Sequence, residues 1–240
     1  MTPSGALPVR APRKRRPVRG LVAACVLGLL STPEVRADAT AALQQVRAAC
    51  ESDTLLIKDR LAALHKDGWL MVTGAERDVA AEVIGDSLSI PRYQLLGAPQ
   101  ISEAFRTRTR VNVAAALGRA PEPQAANFVL VARAETGDTY VAVRGTADRR
   151  GAVSCAAATL DATAGVNLWT EVTGTAPVFA PLTRVLRIQT SERRTPLFHG
   201  ALMHQTALTL FDSAALETVL TPPFQAATGL FITSRPAKLR

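Results

Sequence analysis

The sequence predicts an α+β protein in which helices near the N-terminus pack on a mainly antiparallel sheet. Three observations carry this. Apolar residues between 40 and 84 recur at helical spacing. From residue 105 onward, short segments with period-2 patterning or hairpin turns follow one another. Strand follows strand without a helix between each pair, unlike the alternating βαβ units of parallel sheets.

Ahead of the first helix lies an export signal. Arg13, Lys14, Arg15, Arg16 and Arg19 run into the apolar stretch Leu21 to Leu30, then Ser31-Thr32-Pro33 and the small-x-small site Ala37-Asp38-Ala39. The apolar stretch is half the roughly twenty residues that a spanning helix needs. Residues 1–39 therefore read as a cleaved signal peptide, and 40–240 as one soluble domain in the periplasm or outside the cell. Two rival readings fit less well. Val22-Ala23-Ala24-Cys25 resembles a lipoprotein cleavage pattern, but most of the apolar run follows Cys25 instead of preceding it. Arg15-Arg16 invites a twin-arginine route, yet Pro17 and Val18 stand where a hydrophobic pair is expected two residues on.

Cleavage changes the charge. The whole chain carries 28 basic and 20 acidic residues; removing seven and two leaves 21 and 18, a net of about +3. The high overall pI belongs largely to the signal, so nucleic-acid binding is not expected. Cys25 leaves with it. Cys50 and Cys155 remain, an even pair in an oxidising compartment, and are expected to form a disulfide. Two buried free thiols are the alternative.

The elements follow in order. Leu43, Val46, Cys50, Leu55, Leu56, Leu61 and Leu64 predict helix over 40–66, with a break at Ser52-Asp53-Thr54 and a stop at Gly68. A short strand follows at Trp69–Thr73, then a helix over Glu76–Ile84 ended by Gly85 and Pro91. Phe105 to Val113 alternates, with Arg106, Arg108 and Arg110 on one side and Thr107, Thr109 and Val111 on the other, so a strand is expected. Asn127–Ala134 and Thr139–Arg144 flank Glu135-Thr136-Gly137-Asp138, a hairpin. After the polar turn 148–151, strands are expected at 152–158, 184–189, 201–211 and 229–233, with a short helix at 213–220 before Pro222-Pro223. Trp69-Leu-Met-Val-Thr-Gly is echoed by Trp169-Thr-Glu-Val-Thr-Gly, each downstream of a cysteine. This is read either as a worn duplication into halves 40–150 and 151–240 or as chance in a chain rich in Val, Thr and Gly.

Candidate chemistry is sparse. The chain has three histidines. His65 near a helix end suits the dipole. His199, Met203 and His204 could suggest copper, but residues five apart on a strand face opposite ways, so no metal and no cofactor are expected. Ser191, His199 and Asp212 are close in sequence, but triads are spatial and Gly-x-Ser-x-Gly is absent. Arg106, Arg108 and Arg110 would line a strand face about 7 Å apart, suited to an anionic polymer; the bland reading is a solvated face laced with weak ion pairs. The expected function is an exported, non-catalytic module that binds an anionic envelope polymer or a partner protein. The alternative is an exported hydrolase whose His-containing site assembles in space. N-terminal sequencing of the exported protein should begin at Thr40; a start at Cys25 or an uncut chain would overturn the signal assignment.

Overall fold

Leu43, Val46 and Cys50 lie three and four residues apart, so a helix gathers them on one face. In the computed structural model that face is buried. The structure describes residues 39–96, 99–118, 128–133, 137–145, 152–180, 184–197 and 200–237. These fall within one compact unit, Val35–Arg240. Residues 1–38 of the expected signal peptide, the polar turn expected at 148–151, and His199 lie outside the described residues.

Helices α1 (Ala39–Cys50) and α2 (Ile57–Lys66) are divided where the Ser-Asp-Thr break was expected. Thr54 Oγ1 accepts from Leu56 N and donates to Asp59 Oδ2, each at 3.0 Å, which turns the chain into α2. The expected cleavage point, Ala39–Thr40, sits at the first residue of α1. Strand β1 (Leu70–Met71) leads into a pair of long helices, α3 (Glu76–Leu96) and α4 (Pro99–Gly118). The hairpin β2 (Phe128–Arg133) and β3 (Thr139–Gly145) forms as expected, followed by β4 (Val153–Thr159). Then come α5 (Ala162–Thr173), β5 (Val185–Leu197), β6 (Gly200–Phe211), α6 (Ser213–Glu217) and β7 (Thr228–Ala237).

The strands make one seven-stranded sheet in the order β1-β2-β3-β4-β7-β6-β5, with every neighbouring pair antiparallel. The period-2 geometry of a strand lets this sheet serve two cores. Val141 and Val143 of β3, with Val153, Cys155 and Ala157 of β4, pack with α1, α2 and α5. Tyr140 and Ala142, with Ala156 and Ala158, take the opposite face and pack with α3 and α6. The protein is thus α+β, with a helical layer on each face of the sheet.

Three readings of the elements are corrected. The strand expected at 105–113 is part of helix α4, and Val111, which should have pointed inward, is 59% exposed. Thr and Val at alternate positions favour strand, but the same residues also fit a 3.6-residue period, and contacts with α3 and the sheet select the helix. Helix α3 was expected over Glu76–Ile84, ended by Gly85 and Pro91, and instead runs through both to Leu96. Helix α5 was not expected at all, although its caps are legible: Asp161 Oδ1 accepts from Thr163 N at 2.8 Å, and Gly174 ends the helix in the left-handed region at φ 72°. The tryptophan echo, read as either duplication or chance, has no counterpart in conformation. Trp69 precedes strand β1, whereas Trp169 to Thr173 closes helix α5, so the structure lends the duplication reading no support.

The disulfide is present. Cys50 at the end of α1 is bonded to Cys155 of β4, with Cα atoms 6.2 Å apart. It closes a separation of 105 residues, for which chain entropy implies about 4–5 kcal/mol. Replacing both cysteines by alanine should lower unfolding stability by about 2–5 kcal/mol in urea titrations. An unchanged midpoint would mean that the core holds α1 to β4 without the bond.

Candidate functional site

Helix α4 divides its side chains between two tasks, and the division follows from helical geometry. At 100° per residue, Arg106 and Arg110 point the same way, while Arg108 points nearly opposite. Arg106 and Arg110 both reach Asp86 of α3, which is fully buried. Arg106 binds its carboxylate through Nε at 2.8 Å and Nη2 at 3.3 Å; Arg110 binds through Nε and Nη2, both at 2.7 Å. Asp86 Oδ2 also accepts the backbone N–H of Gln225 at 2.9 Å.

Arg106 is 1% exposed, and a guanidinium has five N–H donors. All five are used. Besides Asp86, Nη1 donates to Thr221 O at 2.6 Å and to Glu103 Oε2 at 3.3 Å, and Nη2 donates to Pro223 O at 2.5 Å. Its carbon centre lies 5.6 Å from the Phe224 ring centroid. Burial works against this cation, but hydrogen bonding and charge from Asp86, then charge from Glu103, outweigh it and hold its pKa above the ordinary value. The α3–α4 approach is close: a Cβ at Gly85 would lie 2.9 Å from Arg110 Cα. That explains a glycine inside a helix.

The other face of α4 turns toward the sheet. Phe105, Arg108, Thr109, Asn112, Val113 and Ala116, spaced three and four apart, form one wall of a pocket of about 490 Å³. Ile84 and Leu88 of α3 contribute a second wall. The floor is Ala142, Ala156 and Phe231, with Arg144 and Ser154 beside them. Ala142 and Ala156 are direct partners across β3 and β4, and Ala156 is paired in turn with Phe231 of β7. Two alanines side by side leave the sheet surface low beneath the helix, which is where the cavity lies. Arg144 and Ser154 are the next partnered pair along the same face.

The three arginines singled out from the sequence therefore do not share a face. Arg106 and Arg110 serve the ion-pair network, and Arg108 lines the pocket with Arg144. Sequence reasoning missed Asp86, Ala142 and Ala156. An acid and two arginines at 86, 106 and 110 gave no local signal, since the pairing crosses two helices.

The other candidates take structural roles. Asp212 is the N-cap of α6, accepting from Ala215 N at 3.0 Å. His65 Nδ1 is 3.3 Å from Trp69 O. His204 Nδ1 and Ser234 Oγ are 2.8 Å apart, but both residues are fully buried and Ser234 Oγ donates to Cys50 O at 3.1 Å. The serine proton is thus committed to a carbonyl, and the imidazole must donate to the hydroxyl; a base would have to accept from it. Arg60 is also fully buried. It donates through Nη2 to Thr54 O at 2.9 Å, and Nη1 lies 3.8 Å from Cys155 Sγ. Burial pushes its pKa down to about 10, so it remains a cation at neutral pH. Among the described residues, no group of three or more His, Cys, Asp or Glu side chains could hold a metal ion.

Comparison with protein-family models, with curated proteins and with solved structures finds no match for the chain. The geometry alone carries the functional argument.

Replacing Asp86 with Ala leaves the buried Arg106 without its main partner and should cost about 3–5 kcal/mol of stability, read by urea denaturation. A loss below about 1 kcal/mol, the scale of an exposed pair, would mean that the network does not hold α4 in place.

Proposed function

We propose that the protein is an exported, non-catalytic binding module whose ligand site is the pocket between α4 and the alanine floor of the sheet. The observation that carries this reading is the pocket itself. Its volume of about 490 Å³ falls within the roughly 300–1,000 Å³ range of small-molecule sites. Its walls are mainly apolar, with a few polar groups from Arg108, Thr109, Asn112, Arg144 and Ser154. That composition suits recognition: apolar area supplies affinity, and a few polar side chains fix orientation.

Export is supported by the signal-like N-terminus and by the Cys50–Cys155 bond, which persists in oxidising compartments. Among the described residues, no helix is long and apolar enough to cross a membrane. A binding role is favoured over hydrolysis because the buried carboxylate Asp86 and the buried imidazole His204 are engaged in the fold. Asp86 is saturated by two arginines, and the His204–Ser234 pair is sealed in the core. An extended anionic polymer is disfavoured as ligand, since Arg106 and Arg110 are turned away from Arg108 and toward Asp86.

A neutral environment-sensitive dye such as Nile red should bind the purified protein saturably. Ala156→Leu, which fills the floor, should weaken that binding at least about tenfold, the loss of roughly 1.4 kcal/mol. Val111→Ser, on the exposed side of α4, should leave it unchanged. Dye binding that is absent, or equal in Ala156→Leu and the parent, would sink the proposal.

A further inference from the structure

We infer that the pocket takes a single-chain amphiphile with an anionic oxygen headgroup, a fatty carboxylate or an alkyl phosphate. The inference rests on the binding reading above and adds the chemistry of the ligand. Its first support is the separation of apolar and polar groups within one cavity. Ala142, Ala156, Ile84, Leu88 and Val113 offer a surface with no hydrogen-bonding side chain, where a sugar or peptide would leave its polar groups unpaired. A hydrocarbon chain carries no such penalty and gains by burial.

Polar groups border that surface on the sheet and on the helix. Arg144 and Ser154 are the cross-strand pair next to Ala142 and Ala156 on the same face, about 7 Å further along the strands. Arg108 and Asn112 are one helical turn apart on the wall above. An amphiphile lying on the alanine floor thus meets apolar side chains along its tail and guanidinium or amide donors at the border of the floor. Guanidinium groups fit carboxylate and phosphate oxygens in a planar fork.

Charge sets the sign of the head. Among the described residues, the lining holds no aspartate or glutamate, and Arg108 brings a positive charge to the helix wall. Among the described residues, no carboxylate forms an ion pair with Arg108, whereas its neighbours Arg106 and Arg110 both meet Asp86. Helix α4 therefore commits two of its arginines to the fold and presents the third at the cavity. A cationic head would be repelled here, and a neutral head would leave the charge complementarity unused.

Isothermal titration calorimetry on the purified protein separates the elements of this inference with four ligands that share a tail: decanoate, decyl phosphate, decanol and decyltrimethylammonium. The anions should bind at least about tenfold tighter than decanol, the scale of a hydrogen bond to a charged group, and the cation weakest. In Arg108→Gln the preference for anions over decanol should shrink severalfold while decanol affinity stays the same, and Arg144→Gln should add to the loss. Arg108 is exposed on a helix, so its variant keeps the fold and decides alone if Arg144→Gln does not. Decanoate tighter than decyl phosphate names a carboxylate as the head, and the reverse order names a phosphate; either supports the inference. Decanol binding as tightly as decanoate would overturn the headgroup while leaving the pocket as a ligand site. Failure of all four to bind would overturn the binding reading and the inference with it.

Discussion

The carboxylate of Asp86 receives four guanidinium donors and one backbone N–H in the interior, and the arrangement of the α3–α4 side of the protein follows from it. A buried acid is tolerable only when its lone pairs are met, and a buried arginine only when its donors are met. Asp86 and Arg106 satisfy that condition together. Because both arginines leave α4 on the same side, meeting Asp86 fixes the rotation of the helix about its axis. The stripe from Phe105 to Ala116 must then face the sheet. The same guanidinium holds the carbonyls of Thr221 and Pro223, so the segment between α6 and β7 is tied to the helix pair as well.

Strand β4 links the two sides of the molecule. Cys155 points to one face and is bonded to α1, while Ser154 and Ala156 point to the other and line the proposed site. The disulfide thus anchors the strand whose opposite face is the pocket floor. Arg60 adds a second tie near the same sulfur, since its guanidinium also grips the carbonyl of Thr54 in the α1–α2 connection. The proposed ligand site therefore has a floor held from behind by a covalent bond and a wall held from the side by an ion-pair network.

The parts of this architecture legible in the sequence are those governed by local rules. The α1–α2 break, the β2–β3 hairpin and the later strands follow from caps, turns and period-2 patterning. The cysteine pair was legible from its even count downstream of a signal-like N-terminus. Helix α5 was hidden because Ala-Thr-Ala-Gly carries weak periodicity, even though Asp161 and Gly174 mark its ends. Residues 105–113 misled for a physical reason: arginine alternating with Thr and Val satisfies a strand's period and β-branched preference, and only the distant Asp86 distinguishes Arg106 and Arg110 from Arg108. Two alanines on adjacent strands announce nothing until the register sets them side by side. Sites built from such juxtapositions are absent from one-dimensional patterns.

The central claim is that α4, oriented by Asp86, covers a site for an anionic amphiphile above Ala142 and Ala156. Anomalous diffraction from crystals grown with terminally brominated decanoate tests it most directly. The account predicts a bromine peak between Val113, Ala142 and Ala156, with the carboxylate within hydrogen-bonding distance of Arg108 or Arg144. A bromine peak elsewhere on the protein, or a carboxylate turned away from both arginines, would contradict it.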